Sequence, residues 1–170
     1  MDAAPALVEV GRALRRSGLE AVLIGNAAAA LQGAPVTTID FDFLFRRTPR
    51  NLGKLKVLAR ALGATVLRPY YPASDLYRIA RDEDGLQVAF MTTIHGIRSF
   101  EGVRDRATVV EIDGVPIRVA SLADIVRSKK AARRPRDLAV LDVLEKALEE
   151  EAREGATRPK GKTRRPRPRK

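Results

Sequence analysis

Apolar and polar residues alternate along this chain first at helical spacing and then at strand spacing. Residues 4–16 place apolar side chains about one helical turn apart and end in arginines before Gly18, which predicts a helix. The apolar stretch LEAVLIG, residues 19–25, predicts a short buried strand, and NAAAALQG predicts a short helix that ends at Gly33. Residues 37–45, TTIDFDFLF, are rich in β-branched and aromatic side chains and predict a second strand.

The pattern then gives one more helix and strand before it changes to hairpins. Thr48 and Pro49 begin a helix that should reach about Leu62, and ATVLRP after Gly63 predicts a third strand. DLYRIAR and LQVAFMTTI flank Asp84-Gly85 and predict one hairpin, and ATVVEID and VPIRVA flank Gly114 and predict another.

Two helices are predicted to close the folded part. Ser121 and Asp124 form a capping box for a helix through about Ala132. The last helix, residues 134–154, has an apolar face predicted to be buried: Leu138, Leu141, Val143, Leu144 and Leu148. Together these elements predict an α+β fold, a mixed β-sheet flanked by helices.

Composition limits the class of protein. A length of 170 residues predicts one domain, and a hydrophobic content of 45% excludes a wholly disordered chain. The absence of cysteine excludes disulfides, thiolate chemistry and cysteine-bound zinc. The sequence contains no apolar run of membrane length and no signal-peptide pattern, so we expect a cytoplasmic protein without a membrane partner.

The net charge of +11 is concentrated at the end of the chain. Residues 156–170 contain eight Lys or Arg and no acid, which leaves 24 basic and 21 acidic residues, a net charge of +3, for residues 1–155. The sequence therefore predicts a single domain over 1–155 and a disordered basic tail over 156–170. Such a tail either binds nucleic acid electrostatically or is simply solvated.

Two acids lie two positions apart in the second predicted strand. Because side chains at i and i+2 share one face of a strand, Asp40 and Asp42 should present neighbouring carboxylates. A pair of this kind either binds Mg²⁺ together with substrate phosphates or is a solvated strand face. Gly25 precedes this strand at a strand-to-helix junction, where backbone N–H groups favour phosphate. The combination is typical of metal-dependent phosphoryl or nucleotidyl transfer.

The stretch IGNAAAALQGAPVTTIDFDF resembles the signature of the polymerase-β-like minimal nucleotidyltransferases. Within that superfamily it is similar to the toxin-like branch of abortive-infection and toxin–antitoxin systems, because DIVRSKKAARRPRDLAVLDVL matches a later lysine helix followed by Arg-x-x-Asp-Leu. The resemblance covers about residues 20–148.

The resemblance implies roles for particular residues. Gly25 and Asn26 would contact the triphosphate of an NTP, as would Lys129 and Arg134, and Asp40 and Asp42 would hold Mg²⁺ or Mn²⁺. Lys129 would neutralise phosphate charge, and Asp137 would orient Lys129 or the nucleotide. From the residues alone, a solvated helix residue is the favoured interpretation of Lys129, and Asp137 is an acid that favours the start of a helix.

The sequence departs from this pattern where relatives place a third acid. That acid falls on Ala89, in GLQVAFMTTI, on the polar face of the strand. Ala89 therefore leaves two functions open. One is transfer of a nucleoside monophosphate to an acceptor hydroxyl. The expected acceptor is RNA, in particular a tRNA 3′ end, and a protein is the second acceptor class. An antitoxin is a candidate protein partner of such an enzyme. The other is a catalytically degenerate module that binds nucleotide or RNA.

An aromatic and basic cluster is a further candidate for RNA contact. Tyr70, Tyr71 and Tyr77 lie near Arg68 and Arg78 in the sequence. These side chains either stack on an RNA end or pack within the hairpin.

Overall fold

One mixed β-sheet organises the described part of the chain, residues 3–67 and 75–157 of a computed structural model. Seven strands form this sheet and six helices flank it in that part of the chain. The helices are α1 (Ala3–Ser17), α2 (Gly25–Ala30), α3 (Pro49–Ala61), α4 (Phe100–Arg106), α5 (Leu122–Ala132) and α6 (Pro135–Thr157). The strands are β1 (Ala21–Ile24), β2 (Phe41–Phe45), β3 (Thr65–Leu67), β4 (Leu76–Arg81), β5 (Leu86–Met91), β6 (Thr108–Ile112) and β7 (Val115–Val119). The predicted α+β class is confirmed.

The sheet has the strand order β3-β4-β5-β2-β1-β7-β6. The two hairpins, β4–β5 and β6–β7, are antiparallel as predicted, and β1 pairs antiparallel with β2. Parallel pairing joins β2 to β5 and β1 to β7. Strand β2, which carries Asp42, therefore lies at the centre of the sheet, between β1 and strand β5 of the first hairpin.

The two faces of the sheet differ in character. Phe41, Phe43 and Phe45 of β2 are buried, and their face forms the main core. The Phe90 ring of β5 stacks on Phe43 and meets Phe45 edge-on. Asp42 alternates with these phenylalanines and therefore points to the other face. The polar face carries the site described below.

Local signals explain where α3 and α5 begin. The Thr48 hydroxyl accepts the Asn51 N–H at the start of α3, where Pro49 occupies the first position, and the Ser121 hydroxyl accepts the Asp124 N–H at the start of α5. Among the described helices, none combines the length and the apolar composition needed to cross a bilayer.

Three details differ from the sequence-based expectations. Strand β2 begins at Phe41, so Asp40 lies in the preceding turn, where its N–H donates to Thr38 Oγ1 at 3.1 Å. Helix α4 was not predicted. Leu138 is 48% exposed, because the first turn of α6 directs the neighbouring Asp137 inward instead. Helix α6 continues to Thr157, and residues 158–170 lie outside the described residues, so the basic tail stays a prediction.

Candidate active site

A cleft of about 690 Å³ opens on the polar face of the sheet. Its walls come from the start of α2, from β2, from the β4–β5 hairpin, from α5 and from the start of α6. The residues predicted to bind or transfer a nucleotide all line this cleft: Gly25, Asn26, Asp40, Asp42, Ala89, Lys129, Arg134 and Asp137. The structure thus brings together three segments that are well separated in the chain.

Gly25 and Asp42 are in contact at the floor of the cleft. Strand pairing sets Ile24 opposite Asp42, so the first residue of α2 lies beside the carboxylate. A Cβ atom at Gly25 would approach Asp42 Oδ2 to 3.2 Å, and the Gly25 φ of +71° favours glycine. A glycine here keeps open the space between the helix start and the carboxylate.

The start of α2 offers polar groups to that space. No side chain caps the α2 N-terminus, which begins at Ile24 and Gly25. In the described part of the chain, Asn26 Oδ1 is buried and has no hydrogen-bond partner. A buried oxygen of this kind is costly unless a ligand supplies a donor, which favours a bound molecule at this position.

Asp40 and Asp42 form the acidic side of the cleft. Burial raises the pKa of Asp42, and the negative charge of Asp40 raises it further. The positive charges of Arg136, Lys129 and Arg134 act in the opposite direction. Asp42 is therefore a partly buried carboxylate whose charge a cation would stabilise.

Lys129 and Asp137 meet across the α5–α6 junction. Lys129 Nζ lies 3.1 Å from Asp137 Oδ1, and both side chains are only 11% exposed. Arg134 Nε lies 3.7 Å from the other carboxylate oxygen of Asp137. Lys129 is therefore not a solvated helix residue, and Asp137 binds it while also favouring the start of α6.

Ala89 occupies the strand position next to Asp42. The parallel pairing of β2 and β5 sets Asp42 opposite Ala89, and the hairpin pairing sets Ala89 opposite Arg78. Because paired residues point to the same face, the cleft floor reads Asp42, Ala89, Arg78 across three strands. The methyl group of Ala89 thus occupies the place where the resemblance leads one to expect a third acid, and Arg78 lies on the strand beside it.

Two arginines line the cleft although the sequence patterns place neither of them there, and Arg78 was a candidate only for the aromatic and basic cluster. Arg136 lines the cleft beside the Arg-x-x-Asp segment, and Arg78 enters it from β4. Counting back from the Asp84-Gly85 turn would have paired Arg78 with Ala89 in advance. Tyr77 faces the other way and packs edge-on against Phe45, so it is a core residue, whereas Arg68, Tyr70 and Tyr71 lie outside the described residues.

Asp124 supports the cleft from below. It is 1% exposed and accepts two hydrogen bonds from Arg106 of α4, each 2.9 Å long. The sequence pattern predicts only a capping role for Asp124. Its ion pair with Arg106 fixes α5, and so Lys129, against the unpredicted helix α4.

A divalent cation at this site would have two protein carboxylates, those of Asp40 and Asp42. In residues 3–67 and 75–157 there is no cluster of three or more acids, histidines or cysteines that could enclose a metal ion. Mg²⁺ commonly uses one or two carboxylates and completes its shell with substrate phosphates and water. The residues therefore fit an ion that arrives with a nucleotide rather than a permanently enclosed metal.

Solved structures with the same fold include an antibiotic-resistance factor and a putative nucleotidyltransferase. The antibiotic-resistance factor ANT(2'')-Ia matches with a TM-score of 0.58 and 16% identity, over 92% of this chain and 96% of that one. Its complex with adenylyl-2''-tobramycin matches with a TM-score of 0.58 and 17% identity, over 89% and 92%. A putative nucleotidyltransferase from Thermotoga maritima, TM1012, matches with a TM-score of 0.54 and 21% identity, over 86% and 92%.

At these identities the structural matches establish the fold. Among curated protein sequences, none matches this chain. A family profile described as "Nucleotidyl transferase of unknown function (DUF2204)" matches residues 3–155, nearly all of the predicted domain. The predicted nucleotidyltransferase relationship is confirmed, while the toxin-like branch stays a prediction. The chain belongs to the DUF2204 family of nucleotidyl transferases.

Proposed function

We propose that the cleft binds an NTP and transfers its nucleoside monophosphate to the hydroxyl of an RNA, with a tRNA 3′ end as the acceptor. The close approach of Gly25 to Asp42 carries this proposal, because it sets the backbone at the start of α2 directly beside an acid in the cleft. In the reaction the acceptor oxygen bonds to the α-phosphorus, the bond to pyrophosphate breaks, and the hydroxyl proton is released.

Mg²⁺, or Mn²⁺ in its place, fits this site through Asp40 and Asp42. When bound with the nucleotide, the ion would offset the charge of the phosphates. The raised pKa of Asp42 supports the assignment, since the carboxylate gains more from a nearby cation than an exposed one would.

The chain's own cations complete the phosphate site. Three cations supply positive charge opposite the acids. They are Lys129, which is bound by Asp137, and Arg134 and Arg136 at the start of α6. Fixed cations of this kind stabilise the charge that develops on the phosphates during transfer. Asp137 acts through Lys129 as a positioning residue.

The position of Ala89 supports a second candidate function, a module that binds nucleotide or RNA without turnover. The place beside Asp42 lacks the carboxylate expected to accept the hydroxyl proton, and Arg78 lies next to it. On this alternative, Asp40, Asp42 and Lys129 bind Mg²⁺–NTP but do not promote attack.

Label transfer separates these candidates. Each of four α-³²P NTPs, with Mg²⁺ or Mn²⁺, is incubated with total tRNA and, as further acceptors, with casein and with tobramycin, the compound named in the ANT(2'')-Ia complex. The native chain is compared with Ala89→Asp and with the double variant Asp40→Ala, Asp42→Ala.

Transfer to tRNA by the native chain, abolished in the double variant, is the expected result. Transfer that requires Ala89→Asp would support the module without turnover. Transfer to casein or tobramycin instead of tRNA would replace the proposed acceptor, and NTP binding without transfer by any variant would contradict the proposed enzyme.

A further inference from the structure

Helix α1 covers the side of the sheet opposite the cleft. Strand pairing places Leu23, Phe43 and Val119 on one face, and Asp42 on the other. A Cβ atom at Gly11 of α1 would lie 2.7 Å from Val115, which shares the face of Val119. Helix α1 therefore packs on the phenylalanine face.

Helix α3 lies beside α1 on the same face. The two helices are in direct contact, and Lys54 Nζ of α3 donates to the carbonyl oxygen of Gly18, just after α1, at 2.6 Å. Leu55 and Leu58 of α3 are buried in the main core. The outer surfaces of α1 and α3 thus form one continuous area on the back of the molecule.

This area is strongly basic. We call it the basic face and define it by the seven cations of the two helices: Arg12, Arg15, Arg16, Arg50, Lys54, Lys56 and Arg60. All but the half-buried Lys54 are exposed. No ion pair joins any of the seven to an acid within the described residues. The one acid in α1 and α3, Glu9, is already bound by Arg81 at 2.7 Å.

The fold gains nothing from several of these charges. The pairs Arg12–Arg16, Arg50–Lys54 and Lys56–Arg60 are four residues apart on a helix, where like charges destabilise by about 0.2–0.5 kcal/mol per pair. Arg50 also lies in the first turn of α3, where the helix dipole disfavours a cation. The dipole accounts for Arg15, Arg16 and Arg60, near the carboxyl ends of the helices, and Lys54 donates to the Gly18 carbonyl oxygen. Neither reason applies to Arg12, Arg50 and Lys56.

We propose that the basic face is a nucleic-acid-binding surface that contacts the phosphate backbone of RNA, separately from the cleft. A row of arginines and lysines without acid partners on two adjacent helices matches the dense, regular charge of a sugar–phosphate chain. In the described part of α1 and α3, Val57 is the single exposed large hydrophobic residue, so these helices lack the apolar stripe that a membrane surface requires.

The surface is tested by RNA binding without NTP, so its failure is distinct from failure of the proposed transfer reaction. Anisotropy of a fluorescein-labelled RNA hairpin is measured with the full-length chain from about 50 to 200 mM salt. The triple variant Arg12→Gln, Lys56→Gln, Arg60→Gln removes three cations of the basic face. A matched control, Arg98→Gln, Arg118→Gln, Lys146→Gln, removes the same charge elsewhere and retains the basic tail.

We expect the triple variant to weaken RNA binding about tenfold or more and to reduce the slope of log K against log salt by about 2–3, one contact per removed cation. The control should keep most of the native affinity and slope. Equal losses in the two variants, or no loss in either, would overturn the proposal, because net charge or the tail would then account for binding.

Other occupants of the basic face give different results. Unchanged RNA affinity with lost binding to phosphatidylserine vesicles would assign the face to a membrane surface. Unchanged RNA affinity with loss of a dimer in size-exclusion chromatography would assign it to a second copy of the chain. Either result contradicts the nucleic-acid proposal.

Discussion

At the scale of single residues, we propose that Gly25 allows the cleft to accept a phosphate. We expect Gly25→Ala to lose nucleotide binding. The new methyl carbon would lie 3.2 Å from Asp42 Oδ2 and would push the carboxylate away. The positive φ adds a cost of about 1 kcal/mol in unfolding free energy. Isothermal titration with Mg²⁺–NTP and denaturant unfolding measure the two effects.

Gly33→Ala is the matched control for this prediction. Gly33 has a φ of +87° but an open surrounding, so its substitution carries the same backbone cost without touching the cleft. If both variants bound nucleotide equally well, the contact between Gly25 and Asp42 would have no functional weight.

Asp42 is the second residue with a distinct prediction. The pKa of Asp42 is raised in the fold, so the native state binds the Asp42 proton more tightly than the unfolded state does. The protein therefore loses stability as pH rises from the ordinary pKa of an Asp to the raised pKa of Asp42. Asp42→Asn should therefore raise Tm at pH 7 by about 2 °C, and the gain should shrink towards the acidic range of an ordinary Asp.

Thermal melts of native and variant chains across this pH range test the prediction. The exposed acid Asp142 on α6 supplies the control substitution Asp142→Asn, which should change Tm little at any pH. With Mg²⁺–NTP present the order should reverse, because the native chain alone gains stability from the ligand. A lower Tm for Asp42→Asn without ligand would contradict the argument.

At the scale of secondary structure elements, Arg81 joins three of them. Its guanidinium donates to Glu9 of α1, to Asp84 of the hairpin turn and to the Leu62 carbonyl oxygen after α3. Hydrogen bonds from Arg81 are the main reason that the pKa of Glu9 is lowered. They are also the main reason that the pKa of Asp84 is lowered to about 2. Stability from lowered carboxyl pKa values is present above their ordinary range and is lost as pH falls towards 2.

Arg81→Met should lower Tm at pH 7 by about 4 °C or more, since it leaves a largely buried carbonyl and two acids without their donor. It should also flatten the loss of stability between about pH 5 and pH 2. Arg15→Met, on the exposed side of α1, is the control and should leave both quantities near native. An equally steep acid dependence in Arg81→Met would show that other carboxylates are responsible.

Most elements could be predicted because their signals are local. The Thr48-Pro49 start, the Asp84-Gly85 turn and the Ser121 cap each act within a few residues of themselves. Helix α4 could not, because a seven-residue helix is marginal alone and depends on the burial of Phe100 and Val103 in the fold.

The site shows the same division. The Gly25–Asp42 relation follows from adjacent segments and was predictable, but the row Asp42, Ala89, Arg78 depends on β5 lying beside β2, which no local pattern specifies. Asp40 was placed on the strand, but the strand begins one residue later. The inward turn of Asp137, at the cost of exposing Leu138, follows from its pairing with the buried Lys129 across two helices.

At the scale of the whole molecule, opposite charges occupy different elements. The basic face carries seven cations, whereas α6 contains seven acids and three basic residues.

If the cleft modifies tRNA as proposed, induced expression in a bacterial host should slow growth, and Asp42→Asn should restore it. Growth curves at matched expression test this toxin-like role, and equal growth of the native chain and Asp42→Asn would contradict it.

Ala89 lies in strand register with Asp42 at the centre of a rigid sheet, so the place for a third acid is already built. Every alanine codon becomes an aspartate or glutamate codon when its middle base changes from C to A. A single base substitution therefore separates this chain from one with three neighbouring acids. In a population, genes of both kinds should interconvert easily, and growth selection on a mutagenised gene would reveal which state the host tolerates.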